Sequence, residues 1–289
     1  MQYRFMRFPQ GKAKALTLSY DDGTANDIRL KEIIDKYGVK CTFNVNSALL
    51  AKNEGEYKLT EKALVSLLKD SPHEVAVHGA RHIAPGLAPA VNVIDDVLSC
   101  RKRLEELFNR IVRGMAYPDS GITRFSNGAD DYSHIRTYLK ALGIDYARSL
   151  GGDNDRFDMP TDWYNWIPTA HHMNEKLFEY LEKFLSMDIE ALYAASHTPR
   201  LFYLWGHSFE FARNDNWNIL EEFCRRASEK KNAIWFATNG EIYDYTTAYE
   251  RLIWNAEGTM VYNPSLFTVF FEQDNILYGV KAGETLSIR

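Results

Sequence analysis

The sequence has few cysteines and no long hydrophobic run. Its three cysteines, Cys41, Cys100 and Cys224, are odd in number and far apart. This argues against a disulfide framework, and all three are predicted to be reduced thiols with structural roles. No apolar stretch is long enough for a signal-peptide core or a membrane span. The sequence therefore predicts a cytoplasmic protein that does not bind a membrane.

The sequence also has no excess of basic over acidic residues. The chain has 34 Lys and Arg against 39 Asp and Glu, which gives a net charge of -5. Phosphate backbones are bound by concentrated Lys and Arg, so we expect no nucleic-acid partner. Internal repeats and low-complexity linkers are also missing. The composition, 45% hydrophobic and 25% charged, is typical of a globular chain with a sizeable core.

Short apolar runs alternate with longer segments whose apolar residues recur at three- and four-residue steps, a pattern typical of strands and amphipathic helices. The predicted strands are residues 15–20, 41–46, 74–78, 114–117, 145–149, 201–206 and 233–238. The predicted helices are residues 27–37, 60–69, 91–110, 131–142, 175–186 and 217–230. This alternation predicts an α/β protein with a parallel sheet covered by helices.

Unusual polar residues lie at or just past the carboxyl ends of these predicted strands. They include Asp21, Asp22, His78, Tyr117, Arg148 and His207. A barrel gathers all carboxyl ends around one mouth, whereas an open sheet spreads them along a row. We therefore predict a distorted (β/α)7 barrel.

The pattern changes near the end of the chain. Residues 260–262, 267–272 and 276–280 alternate or run apolar between turn residues. Residues 1–245 are therefore predicted to form the barrel, and residues 246–289 a small β-rich appendage packed on it.

The first chemical motif is Ser19-Tyr20-Asp21-Asp22-Gly23. Two adjacent carboxylates at the end of an apolar strand repel each other unless a cation neutralises one of them. A bound metal ion would do so. Taken alone, such a motif is more often an ordinary solvated turn before a helix.

The second motif is His78-Gly79-Ala80-Arg81-His82. Two imidazoles four residues apart are able to converge on one ion, and Gly79 lets the backbone turn between them. The alternative is a pair of exposed histidines in a polar loop. His207 ends a later apolar strand, where a buried structural histidine is the usual explanation.

Together these motifs resemble those of the polysaccharide deacetylases, carbohydrate esterase family 4, in the same chain order. Asp21-Asp22-Gly23 resembles the family's Asp-Asp-Gly, His78 to His82 its His-Ser/Thr-x-x-His, and Leu204-Trp205-Gly206-His207 its Leu-x-x-His. Asp162-Trp163 resembles the family's Asp-Trp element, and residues 116–119 occupy the place of its Arg-x-Pro-Tyr stretch.

The resemblance implies a role for each motif residue. Asp22, His78 and His82 would bind one divalent ion, with Zn²⁺ as the expected metal and Co²⁺, Ni²⁺ or Mn²⁺ as alternatives. Asp21 would be the general base and His207 the general acid. A backbone N–H in residues 117–119 would help hold the oxyanion.

The substrate-binding residues implied by the resemblance are Tyr117, Pro118, Asp119, Asp162 and Trp163. Two departures stand out, because Ala116 replaces the family's arginine and Asp119 its aromatic residue. We predict that Arg148, at the end of a neighbouring strand, supplies the missing cation to Asp21 and lowers its pKa. An exposed strand-end arginine is the competing interpretation.

The expected activity is metal-dependent removal of an acetyl group from an N- or O-acetylated carbohydrate. One alternative is hydrolysis of a small amide or imide at the same site. Another is a carbohydrate-binding protein that has lost turnover. No Gly-x-Ser-x-Gly elbow is present to indicate a serine hydrolase.

Overall fold

The computed structural model describes residues 3–288. Its strands are β1 (Arg4–Arg7), β2 (Lys14–Asp21), β3 (Cys41–Val45), β4 (Glu74–Val77), β5 (Gly114–Ala116), β6 (Tyr146–Arg148), β7 (Ala170–His171), β8 (Arg200–Gly206), β9 (Ile234–Phe236), β10 (Ile253–Trp254), β11 (Met260–Tyr262), β12 (Val269–Gln273), β13 (Ile276–Val280) and β14 (Thr285–Ser287). Its α-helices are α1 (Asp27–Lys36), α2 (Glu61–Leu68), α3 (Ala90–Phe108), α4 (Tyr132–Ala141), α5 (Leu177–Ser186), α6 (Ser208–Arg213), α7 (Asn218–Ser228) and α8 (Asn239–Glu250).

The main sheet is parallel and curls into a (β/α)7 barrel, as predicted. Its strands follow the order β6-β5-β4-β3-β2-β8-β7, and β9 pairs with the first residues of β2. Between β6 and β7 the gap is bridged by residues 166–169. Trp166 N–H donates to Ala147 O of β6 at 3.1 Å, and Thr169 N–H donates to Tyr203 O of β8 at 2.8 Å. All carboxyl ends of the strands therefore meet at one mouth.

Strand β2 shows how the barrel delivers polar side chains to this mouth. All eight of its residues are buried. Leu16, Leu18 and Tyr20 belong to the apolar core shared with the surrounding helices. Successive side chains of a strand point to opposite faces, so Thr17, Ser19 and Asp21 point into the barrel. The last of these inward positions is the first aspartate of the Asp-Asp pair.

The appendage consists of two small antiparallel sheets, β1-β12-β13 and β10-β11-β14. Two elements do not respect the predicted boundary at residue 245. Helix α8 runs across it, because Ile242 and Tyr245 pack in the barrel while Ala248 packs in the appendage core. Strand β1 at the start of the chain belongs to the appendage, since Arg4 pairs with Gln273 of β12.

Two further expectations concern cysteines and membrane spans. Cys41, Cys100 and Cys224 are buried free thiols, as predicted. Within residues 3–288, no helix has both the length and the apolar character that a membrane crossing requires.

Candidate active site

Asp22, His78 and His82 lie together at the barrel mouth. Asp22 follows β2, and the loop after β4 carries both histidines. One ligand atom from each of the three lies within 4.8 Å of the other two, with His82 Nε2 4.0 Å from Asp22 Oδ1. The structure thus brings together the three residues predicted to bind the metal.

Two of these residues have left-handed backbones. Asp22 has φ +88° and His82 has φ +62°, in the region that non-glycine residues rarely adopt. Asp22 is held by its N–H, which donates to Asn44 O at 2.9 Å. Such conformations persist only where the surroundings impose them, and they cluster at functional sites.

Gly79 is required by the packing of the histidine loop. It has φ +69°, and a Cβ at this position would overlap Asp96 Oδ2. The buried Asp96 carboxylate accepts hydrogen bonds from the N–H groups of Arg81 at 2.7 Å and Ile83 at 3.4 Å. Asp96 therefore holds the loop that carries His82, and it occupies the space that a side chain at residue 79 would need.

The hydrogen bonding of His78 fits metal binding. Its Nδ1 lies 2.9 Å from Ala116 O, a carbonyl that only accepts, so Nδ1 carries the proton and Nε2 has a free lone pair. Burial lowers the pKa of His78 well below its ordinary range, although Asp21 opposes this shift. The imidazole is therefore neutral, which is the form that binds metal ions.

Asp21 lies between the candidate ligands and His207. Its Oδ2 is 3.9 Å from His78 Nε2 and 3.9 Å from His207 Nε2. Its Oδ1 accepts a hydrogen bond from Asn44 Nδ2 at 2.8 Å. The side chain is buried, so these contacts orient it toward the space between the two histidines.

The contact predicted between Arg148 and Asp21 is present. The buried Arg148 guanidinium donates to Asp21 Oδ2 and lies 4.3 Å over the ring of Trp205. Burial by itself raises the pKa of Asp21, but its surroundings, the Arg148 guanidinium first, lower it below its usual value. Asp21 is thus an ionised carboxylate, as the sequence predicted.

His207 has an acidic partner that the sequence motifs did not indicate. Glu210 Oε2 lies 3.4 Å from His207 Nδ1 and accepts from the His207 N–H at 3.3 Å. Burial opposes protonation, but Glu210 and then Asp21 raise the pKa of His207 above its ordinary value. The arrangement favours an imidazolium whose Nε2–H faces Asp21.

Two further histidines surround Glu210. Its Oε2 lies 3.2 Å from His171 Nε2 and 3.1 Å from His172 Nε2. His171, His207 and Glu210 are close enough to hold a second ion. However, Met173 N–H donates to His171 Nδ1 at 3.2 Å, which leaves the ring proton on Nε2 facing Glu210. This cluster is therefore better described as hydrogen bonding around Glu210.

Lys58 is a second site residue that the sequence did not indicate. Its Nζ donates to Asp22 O at 2.7 Å and lies 3.3 Å from Asp22 Oδ1. It comes from the loop between β3 and α2. The ammonium group thus supports the left-handed backbone of Asp22 and offsets part of its charge.

The predicted substrate residues 117–119 lie beside this centre. Pro118 Cγ would be 3.3 Å from a Cβ at Gly79, and Asp119 is exposed with φ +49°. Tyr117 N–H is already paired with Arg148 O at 2.9 Å, and Pro118 has no N–H. Of the backbone donors predicted for the oxyanion, only that of Asp119 remains.

Asp162 and Trp163 are not brought to the site. Asp162 accepts a hydrogen bond from Tyr132 OH at 2.5 Å, and Trp163 packs edge-on against Trp166 and Tyr243. Both side chains are engaged in these contacts, and the substrate role of the pair stays a prediction.

The sequence contains a weak indication that Glu210 belongs to the site, and none for Lys58. Glu210 stands three residues after His207 and forms a capping box at the start of α6. That spacing is recognisable once a helix is placed there. Lys58 lies 36 residues from Asp22 in an irregular loop, so only the fold brings them together.

The mouth of the (β/α)7 barrel thus holds an Asp-His-His cluster beside a buried aspartate. The family model described as Polysaccharide deacetylase matches residues 9–146 of the chain, and this match agrees with the resemblance that the motifs show. The match includes Asp21, Asp22, His78 and His82, while His207 lies beyond it.

Solved structures support the fold. A probable polysaccharide deacetylase from Pseudomonas aeruginosa PAO1 is similar with a TM-score of 0.55 and 16% identity, over 82% of this chain and 91% of that one. Puue allantoinase is similar with a TM-score of 0.56 and 14% identity, also over 82% and 91%. At such identities the likeness shows the fold alone. No curated protein sequence matches the chain.

Proposed function

We propose that the protein is a metal-dependent hydrolase that removes an acetyl group from an N- or O-acetylated carbohydrate. The observation that carries the proposal is the position of Asp21, whose Oδ2 lies 3.9 Å from both His78 Nε2 and His207 Nε2. A base therefore stands between a three-ligand cluster and an acid. The match to the polysaccharide deacetylase family model supports the acetylated carbohydrate as substrate.

Asp22, His78 and His82 would hold the ion. One carboxylate and two neutral imidazoles form a donor set suited to Zn²⁺, and Co²⁺, Ni²⁺ or Mn²⁺ are alternatives. When bound, the ion would supply a Lewis acid that polarises the acyl carbonyl and acidifies water.

Asp21 acts as the general base. The Arg148 guanidinium keeps it ionised, and Asn44 fixes the plane of its carboxylate. From this position it accepts the proton of the attacking water. The Asp119 N–H is the backbone donor left to help hold the oxyanion.

His207 acts as the general acid. Glu210 binds Nδ1, so the transferable proton is on Nε2, on the side that faces Asp21. This proton goes to the departing amine or alcohol as the tetrahedral intermediate collapses. Glu210 thus has the positioning role that a carboxylate has toward a catalytic histidine in other hydrolases.

The test is acetate release by the purified protein from chitooligosaccharides, acetylated xylan and small amides, with and without added metal. We expect metal-dependent release from a carbohydrate, and a loss of about 10²–10⁴ in rate for Asp21→Asn. Release only from a small amide or imide would favour that substrate class. No release from any of them, with sugar binding retained, would favour a binding protein without turnover.

A further inference from the structure

An aromatic pair lies at the barrel mouth directly beside His207. The Phe209 ring centroid is 5.2 Å from that of His207 and 5.7 Å from that of Tyr57. Arg213 covers Phe209 with its guanidinium carbon 5.5 Å from the ring centroid. The Tyr57 side chain is 56% exposed.

Tyr57 is held in place by the backbone around the Asp-Asp motif. Its carbonyl accepts from Ala25 N at 3.0 Å, and Leu59 N donates to Gly23 O at 3.0 Å. Thr24 and Lys58 form an antiparallel bridge between these two bonds. Lys58 Nζ, on the next residue, donates to Asp22 O. The backbone that carries the exposed ring is therefore fixed relative to the site.

The position of the pair identifies the part of the substrate it meets. His207 protonates the leaving group, so the leaving group has to lie next to the His207 ring. Phe209 is in contact with that ring, and Tyr57 extends the apolar surface outward toward solvent. The acyl group lies on the other side, toward Asp22, His78 and His82.

We propose that Tyr57 and Phe209 form a stacking subsite for the pyranose ring of the leaving group. This inference rests on the proposed function, and it selects a ring-bearing sugar over a small amide as substrate. A pyranose presents C–H groups on its face and hydroxyls at its edge, which suit an aromatic face with a polar tip. Burial and the charge of Asp22 raise the pKa of Tyr57 to about 12, so its hydroxyl stays protonated and is able to donate.

The experiment compares two acetylated amines with the metal-loaded full chain. N-acetylchitotetraose has a ring-bearing leaving group, and N-acetylethanolamine has none. We expect Tyr57→Ala to raise the KM for N-acetylchitotetraose about tenfold more than the KM for N-acetylethanolamine. Tyr57→Phe, which keeps the ring, should restore most of this difference.

Tyr262→Ala is the matched control, because Tyr262 is also an exposed tyrosine but belongs to the appendage. It should change neither KM. Equal effects of Tyr57→Ala on both substrates, or none on N-acetylchitotetraose, would overturn the subsite. Metal-dependent release from N-acetylethanolamine without turnover of N-acetylchitotetraose would overturn the subsite but leave a metal-dependent hydrolase in place.

Discussion

At the residue scale, neighbouring side chains set the charges of the proposed base, Asp21, and the proposed acid, His207. Asp21 is buried yet ionised because Arg148 donates to it. His207 is buried, yet its pKa is raised because Glu210 lies beside its Nδ1. A base and an acid whose pKa values are pushed in opposite directions are suited to one hydrolytic cycle.

Glu210→Gln tests the acid. His207 has to be protonated to act, so the rate should fall as pH rises through its pKa, which lies above the ordinary 6.5. Removing the Glu210 charge lowers that pKa, and the alkaline limb of the pH–rate profile should move about one unit toward lower pH. Glu182→Gln makes the same change at an exposed position of α5 and should leave the profile in place. An alkaline limb unmoved by Glu210→Gln would assign that limb to another group.

How much of the site the sequence predicts depends on how local its contacts are. Asp22, His78 and His82 are predicted from short motifs at strand ends. Arg148 is predicted because Ala116 stands where the family has an arginine. Lys58 carries no pattern, because its contact with Asp22 depends on the path of a loop. The substrate role of Asp162 and Trp163 stays a prediction, since a match of two residues is too short to fix a position.

At the element scale, all seven predicted strands are present with bounds shifted by a residue or two. Their apolar runs are long enough to show the pattern. Strand β7 (Ala170–His171) has two residues and α6 (Ser208–Arg213) has six, so neither shows a period. Helix α8 (Asn239–Glu250) was missed because its apolar residues serve two cores and follow no single stripe.

Gly79→Ala tests the loop that carries His82. The new Cβ would overlap Asp96 Oδ2 at a residue with φ +69°, so the variant should lose about 3 kcal/mol in free energy of unfolding. Gly38→Ala is the control, since Gly38 has φ +67° and no atom within 4 Å of where a Cβ would lie. It should lose only about 1 kcal/mol.

The measurement is chemical denaturation of the metal-free proteins. Equal losses at the two glycines would show that Asp96 moves aside at no cost. Metal affinity should fall for Gly79→Ala as well, because the Asp96 contacts with Arg81 and Ile83 position His82.

At the scale of the whole molecule, the two chain ends are joined by a buried ion pair. Arg7 of β1 donates to Glu272 of β12, and also to His197 O at 2.7 Å. His197 Nδ1 lies 2.8 Å from Glu272 Oε1, and its Nε2 lies 3.0 Å from Leu192 O. Both ring nitrogens of His197 face hydrogen-bond acceptors, so the imidazolium form, which carries a proton on each nitrogen, makes both hydrogen bonds.

This contact predicts a pH dependence of stability. The hydrogen bond to Glu272 raises the pKa of His197 above its ordinary 6.5. A raised folded-state pKa gives stability that is fully present below the unfolded value and is lost as pH rises through the folded value. The free energy of unfolding should therefore decline above about pH 6.5, and His197→Gln should flatten that decline. An identical pH dependence in the variant would exclude His197 as its source.

The most direct test of the central claim is the metal content of the purified, dialysed protein, measured by elemental analysis. One divalent ion per chain is expected in the wild type and in Asp21→Asn, because Asp21 is the base and not a ligand. Asp22→Ala, His78→Ala and His82→Ala should each lose it, since each removes one of three protein ligands. A wild type without a stoichiometric ion, or an Asp22→Ala variant that keeps one, would contradict the account.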